Sequence, residues 1–255
     1  MPSPLEILLD PISLIIIAIY AGLMIWEALF PARPLPTVKY WKLKGFIFFV
    51  LFFYLSSYLP LIWDGYLAAY QLIDLTGLGT IWGALIGVLL YQLGVYVWHR
   101  SMHKSDVLWK VFHQMHHSVE RVDTYSAFIF SPMDMIGFTA LGSFLLVLVA
   151  GFSPQAATVI ILVNTFFSMF QHSNIRTPAW LGYIVQRPEA HVLHHARGIH
   201  AYNYGDITIY DMLFGTWKNP RNFDYENGFY MGASSRISDM LLFKDVSKEE
   251  VSSSN

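Results

Sequence analysis

Ten histidines are the residues of this 255-residue chain whose types and spacing could do chemistry, and none precedes position 99. His99 and His103 are four apart, and His113, His116 and His117 form an HxxHH pattern that His191, His194 and His195 repeat. On a helix, positions i, i+3 and i+4 share one face. His172 stands alone in an apolar block, and His200 follows the second HxxHH. A single histidine near a membrane interface is ordinarily a satisfied polar residue, and a lone HxxxH is weak. Several clusters brought together are different. Buried neutral imidazoles carry lone pairs that need partners, and a metal ion supplies them. A structural zinc takes about four ligands and a catalytic one about three. So many histidines exceed one ion's demand and suit two. Imidazole-rich ligation suits iron, copper, zinc or nickel rather than magnesium or calcium.

The rest of the composition narrows the field. There is no cysteine, which excludes a disulfide scaffold, a thiolate zinc site, an iron–sulfur cluster and a thiol nucleophile. A net charge of −2 offers no basic surface for nucleic acid. Apolar residues make up 55% of the chain and charged residues 13%, about half the usual share of roughly 25%. Such a chain reads as a membrane protein.

The elements that must position the histidines follow from hydropathy. A span needs roughly 20 mostly apolar residues. Pro11 to Phe30, Gly45 to Trp63 and Gly77 to Trp98 each qualify. Met135 to Ile175 is too long for one span, and Gly151-Phe152-Ser153-Pro154 divides it into helices 135–152 and 154–171. Segment 64–76 is open between a loop and part of a broken hairpin. The expected fold is an all-α polytopic bundle of about four to five spans with a cytoplasmic histidine-rich helical cap.

Orientation follows from Lys and Arg. All 16 basic residues lie in segments 31–44, 99–134 and 172–255, which the five-span reading puts on one side. The expectation is an outside N-terminus and a cytoplasmic C-terminus, with all ten histidines on the cytoplasmic face. The expected membrane is a bacterial inner membrane or the endoplasmic reticulum. Residues 1–10 lack the basic start of a secretory signal, so no cleaved signal is expected. Lys248 to Asn255 reads as a frayed polar tail. The domain reading is 1–76 for N-terminal spans and loops, 77–220 for spans plus histidine clusters, and 221–255 for a C-terminal tail.

The motifs carry a family resemblance. His99-Arg100-Ser101-Met102-His103, followed by Leu108-Trp109-Lys110-Val111-Phe112-His113-Gln114-Met115-His116-His117-Ser118, resembles the opening of the fatty acid hydroxylase/sterol desaturase superfamily. Gln171-His172-Ser173-Asn174-Ile175 is similar to its later single-histidine motif, and Arg187-Pro188-Glu189-Ala190-His191-Val192-Leu193-His194-His195 to its last histidine box. Asn203-Tyr204-Gly205-Asp206 and Tyr210-Asp211-Met212-Leu213-Phe214-Gly215-Thr216 resemble its closing segment, with Tyr210 where Trp is usual. The resemblance covers roughly residues 85–220. Where many members read His-Pro-x-Glu, this chain reads Ser131-Pro132-Met133-Asp134.

The resemblance implies a membrane-bound non-haem diiron oxygenase that hydroxylates or desaturates a sterol, fatty acyl or sphingolipid substrate with O₂ and external electrons. Carried over by position, it makes His99, His103, His113, His116, His117, His172, His191, His194 and His195 metal ligands. His200 is open between a tenth ligand and an outer partner of one, and a substitute for the missing His-Pro-x-Glu histidine. Asp206, Asp211, Asn203 and Tyr204 are the candidates for holding the ligands from outside, because a ligating imidazole gives its other N–H to an acceptor. Asp211 has the rival role of anchoring a turn. No catalytic side chain is expected beyond the metal centre. The expected cofactor is two iron ions, with zinc a substitute in purified protein, and O₂ is the cosubstrate. With no flavin fingerprint and no fused haem domain in view, a separate reductase with a ferredoxin or cytochrome donor is expected. The rival class is a membrane metal-binding or metal-transport protein, in which ligands would lie mid-membrane along a path.

Three smaller expectations complete the reading. Glu189 is a candidate helix cap. Arg187 and Arg197 either pair with lipid head groups or follow the positive-inside bias, the latter being the preferred reading. The stripe Phe46, Phe48, Phe49, Phe52 and Phe53 packs or faces lipid rather than lining a substrate channel.

Overall fold

A computed structural model describes residues 1–248; of the tail read as frayed, 249–255 lie outside the described residues. Helices begin where a side-chain oxygen can cap the free amides and proline can take the first turn. Ser3 caps α1 (Pro4–Leu9) and Asp10 caps α2 (Pro11–Leu29). α3 runs Trp41–Ala68 and α4 runs Gly79–Lys104. After Ser105 the chain turns into α5 (Asp106–Leu108), a π-helical turn Trp109–His113 and α6 (Gln114–His117). Ser131 caps α7 (Pro132–Ser143), which continues as a π-helical stretch to Val149, and Ser153 caps α8 (Pro154–His172). The short helices α9 (Pro188–His194), α10 (Ile209–Leu213) and α11 (Ile237–Leu241) follow.

Four helices are long and apolar enough to cross a membrane: Pro11–Leu29, Trp41–Ala68, Thr76–Lys104 and Pro132–Val149. Their outer faces carry exposed apolar residues such as Ile25, Phe46, Ile81 and Trp82, which suits lipid as solvent. The molecule is an integral membrane protein with an all-α fold. The fifth expected span, α8, is a 19-residue helix, but Gln155, Asn164, Gln171 and His172 leave it less apolar than the other four. Segment 64–76 is neither option alone. α3 carries on past Pro60 to Ala68, and the loop beyond holds β1 (Ile73–Asp74), paired in parallel with β2 (Ala150–Gly151). That bridge ties the loop to the α7–α8 hairpin.

Close packing sets α8 against α4. Gly83 and Gly87 on α4 face Ala156 and Ile160 on α8, and a Cβ on Gly87 would lie 2.2 Å from Ile160 Cδ1. Small residues four apart let helix backbones approach in a membrane. The same helix pair carries the buried polar couple Gln92 and Asn164. Residues 221–248 pack inward as well: Phe229, Ala233, Met240 and Val246 join a core with Trp41, Met115 and Val192.

Candidate metal centre

α4 delivers His99 and His103 at its last turn, and the π-helical turn with α6 delivers His113, His116 and His117. α8 ends on His172, and α9 with the residue after it supplies His191, His194 and His195. The nine rings form two adjoining groups. His99, His103, His113, His117 and His194 make one, and His116, His172, His191 and His195 make the other, each with ligand atoms within 4.8 Å of one another. His117 and His195 stack across the boundary with ring centroids 4.1 Å apart.

The outer ring nitrogens explain why the inner ones converge. His99 Nδ1 donates to Tyr204 O at 2.8 Å, His194 Nδ1 to Tyr202 O at 2.7 Å, and His172 Nδ1 to Ser168 O at 2.6 Å. His113 Nδ1 meets Asp134 Oδ2 at 2.9 Å. A carbonyl can only accept, so on His99, His172 and His194 the proton sits on Nδ1 and Nε2 keeps its lone pair. The Gln186 side-chain amide lies 3.0 Å from His191 Nδ1.

The Nε2 atoms of the five-membered group are all buried without a hydrogen-bond partner. In the four-membered group they crowd together instead: His172 to His116 at 3.0 Å, His191 to His172 at 2.9 Å, and His195 to His191 at 3.1 Å. Unpartnered buried nitrogens are costly, and lone pairs pointing at one another repel. A cation within each group removes both costs, so the residues fit two metal ions. An all-imidazole donor set suits iron, copper, zinc or nickel. Burial, and then the neighbouring rings, holds His113, His116, His117, His191 and His195 well below the usual imidazole range; burial does the same for His194. They are neutral and ready to ligate.

His200 belongs to neither group. Its Nδ1 lies 3.1 Å from His117 Nδ1, and its ring packs against Trp109 and Phe229. Position 131, where many members carry a histidine, is taken by a serine with a structural role. Ser131 Oγ donates to Phe112 O and Val111 O, pinning the π-helical turn, and receives Asp134 N.

The four expected outer partners divide. Tyr204 meets a histidine directly, through its carbonyl. Asp211 anchors the loop that presents it, accepting Tyr204 N at 2.9 Å, Gly205 N at 2.8 Å and Thr216 Oγ1 at 2.6 Å. Asn203 ties that loop to Ala190 O and Lys218 N. His200, Tyr202 and Asn203 all have positive φ, a strained backbone that these bonds hold in place. Among the described residues Asp206 makes no hydrogen bond to a histidine; it accepts Gln171 Nε2 at 2.8 Å and Gln92 Nε2 at 2.7 Å. Burial pushes its carboxyl up to about 6 against those two bonds.

Asp134, Gln186 and the carbonyls of Ser168 and Tyr202 were not among the expected partners. Only the carboxylate in the Ser131-Pro132-Met133-Asp134 departure carried a sequence signal.

Two further expectations are corrected. Arg187 does not face headgroups or water: it is 1% exposed, 3.1 Å from Glu189, and bonded to Thr177 and Asn219. Glu189 accepts Thr177 N and Oγ1 rather than capping α9. Arg197, by contrast, is solvent-accessible beside Glu226. The phenylalanine stripe is split. Phe46 is exposed, whereas Phe49, Phe52 and Phe53 line a cavity of about 730 Å³. That cavity reaches His99 and His113 of one group and His116, His172 and His191 of the other.

Comparison with known proteins agrees with this geometry. The ornithine lipid hydroxylase OlsE of Rhizobium tropici is 33% identical over 141 residues, which cover 53% of this chain and 42% of that protein. An alkylglycerol monooxygenase of Danio rerio is 30% identical over 54% of this chain and 30% of its own length. Sphinganine C4-monooxygenase 1 of Arabidopsis thaliana is 26% identical over 48% of each chain. The chain thus spans less than half the length of these relatives. No solved structure matches it. The family model described as fatty acid hydroxylase matches residues 84–216, just over half of the chain and the stretch that holds all ten histidines, and the protein therefore belongs to the fatty acid hydroxylase family.

Proposed function

We propose that the protein is a membrane-bound non-haem diiron oxygenase that hydroxylates a lipid. The observation that carries this reading is the set of five buried, unpartnered Nε2 atoms beside four crowded ones, at the end of a cavity lined by phenylalanines. His99, His103, His113, His117 and His194 would hold one ion, and His116, His172, His191 and His195 the other. When bound, the ions supply the activation of O₂ that an unactivated C–H bond requires. The overall reaction inserts one oxygen atom into C–H. The second oxygen leaves as water, taking two protons and two electrons from an external donor. Desaturation would share the hydrogen-removal step; the names of the relatives above favour hydroxylation.

The chain's own residues do the rest. Tyr204, Tyr202 and Ser168 carbonyls and the Asp134 carboxylate hold the Nδ1 protons, so the rings stay neutral and oriented. Phe49, Phe52, Phe128, Phe130 and Phe138 line the cavity, grip an apolar chain and exclude water. Gln171 Oε1 is buried and unpartnered beside His172, where it can accept a hydrogen bond from the hydroxyl of a product. Iron as the metal, residues 77–220 as the catalytic unit, the cytoplasmic placement of the histidines with an outside N-terminus, and a separate reductase with a ferredoxin or cytochrome donor are parts of the same proposal.

The histidines' location at helix ends and beyond disfavours a transport path through the membrane. The test is metal analysis of purified protein together with lipid analysis of a deletion strain. Two irons per chain, and a hydroxylated lipid lost on deletion and restored with the gene, are expected. Inert metal with an unchanged lipid profile would overturn the reading.

A further inference from the structure

The cavity has a direction. At one end it is walled by histidines that are 7% exposed or less. The exposed residues that line it are Pro2 ahead of α1, Glu6 on α1, Asp10 at the start of α2, Leu61 near the end of α3 and, on the lipid side, Ile161 of α8. It is also long. Phe49 and Asp64 of α3 both line it, as do Ala157 and His172 of α8. Fifteen helical residues at about 1.5 Å each make about 22 Å, more than one leaflet of a hydrocarbon layer about 30 Å thick.

Its two ends differ in what they offer a polar group. Near the histidines, Gln92, Asn164, Gln171 and Asp206 are bonded to one another, leaving Gln171 Oε1 as the one unpartnered oxygen of the four among the described residues. Near the far end, Asp64 Oδ1 is buried and unpartnered, with Ser56 and Ser57 on the same helix. A headgroup at the histidines would find one free amide oxygen, Gln171 Oε1, and would have to shed its water to reach that closed end. A hydrogen-bond-donating group at the far end would meet a free acceptor.

We infer that the substrate is a slender single-chain lipid that lies along the bundle axis, with its polar end at Asp64 and its apolar end at the histidines. The oxidised carbon is therefore remote from the polar group rather than beside it. Gly142, on the cavity wall between the two ends, sets how far the chain reaches. A Cβ there would sit 3.5 Å from Tyr91 Cε2, an ordinary contact, so alanine is accommodated and a large side chain fills the passage. The inference rests on the oxygenase reading for its chemistry, but its geometry can be tested without turnover.

Two palmitamide analogues, whose primary amide can donate to Asp64, serve as probes, one with a photoactivatable diazirine next to the methyl end and one with it beside the amide carbonyl, at the carboxyl end of the chain. Each is irradiated with the full-length holoprotein in nanodiscs, and the labelled residues are mapped by mass spectrometry. The methyl-end probe is expected on Phe130, Phe138 or Asn164, and the carboxyl-end probe on Ser56, Ser57 or Leu61. In Gly142→Phe the methyl-end label at those three residues is lost while the carboxyl-end label remains; Gly142→Ala keeps both. If Gly142→Phe does not fold, the two probes on the unaltered protein still decide. Reversed labels, equal labels at both ends, labels only on bilayer-facing residues such as Ile25 and Trp82, or no label would each overturn the inference. Correct labelling without lipid oxidation would overturn only the oxygenase reading, whereas oxidation with reversed labels would overturn only this one.

Discussion

At the residue scale, the centre depends on acceptors that sit one bond away from the ligands. Asp134 is the one carboxylate among the Nδ1 partners, fully buried on α7 and 2.9 Å from His113. Losing such a partner typically costs about 10–100-fold in metal affinity or activity. Asp134→Ala should fall in that range, measured by metal titration of the stripped protein, while Asp134→Asn, whose amide oxygen still accepts, should lose less. Equal, full affinity in both would show that His113 is held by packing alone. His200 supplies the contrast. It lies outside both groups; its Nδ1 meets the outer nitrogen of His117, and its backbone bonds the ring of His103. His200→Ala should therefore keep the metal stoichiometry of the unaltered protein by elemental analysis, and His117→Ala should lower it. A drop in His200→Ala would make that ring a ligand.

At the element scale, the two metal groups meet only if α4 and α8 stay in close register. At Gly87 an added side chain has no room unless Ile160 moves aside. Overpacking a buried contact costs about 1–3 kcal/mol. Gly87→Leu should lower the melting temperature in detergent accordingly and weaken metal binding in the group that contains His172; an unchanged melting temperature would mean the helices are free to slide.

The legible and illegible parts of the sequence divide at this scale. Helical spacing was enough to pick out the histidine clusters, because i, i+3 and i+4 are local. Capping prolines marked the starts of α2 and α8. Asp134 to His113, Gln186 to His191 and Tyr204 to His99 are contacts whose partners no spacing rule relates, apart from the serine-for-histidine departure near Asp134. Arg187 looked like an orientation signal because its partners Thr177 and Asn219 lie in other segments. The Phe49–Phe53 stripe looked like packing because helical periodicity cannot tell a lipid face from a cavity wall.

At the scale of the whole molecule, so many buried neutral imidazoles make the metal-free fold acid-sensitive. Seven outside the long apolar helices decide the sign: His113, His116, His117, His191, His194 and His195 lie well below the free value of 6.5, and burial lowers His200 to about 4. In the unfolded chain they take up protons below 6.5, while the folded chain holds them neutral. Unfolded protein then binds more protons, so stability is present above 6.5 and is lost as pH falls toward 4. Asp206 pulls the other way. Its carboxyl is raised from 3.8 to about 6, so between those values the folded state holds one proton the unfolded state lacks. Burial raises Asp123 and Asp211 in the same direction, and three such carboxyls do not offset seven imidazoles. The melting temperature of chelator-stripped protein should drop steeply between about pH 7 and about pH 5, each unmatched proton contributing up to about 1.4 kcal/mol per pH unit. Metal-loaded protein should hold its melting temperature further into acid, because a ligated nitrogen is closed to protons until the ion leaves. A flat profile for the stripped protein would mean that its histidines are hydrated rather than packed, and with that the argument for two preformed metal sites would fail.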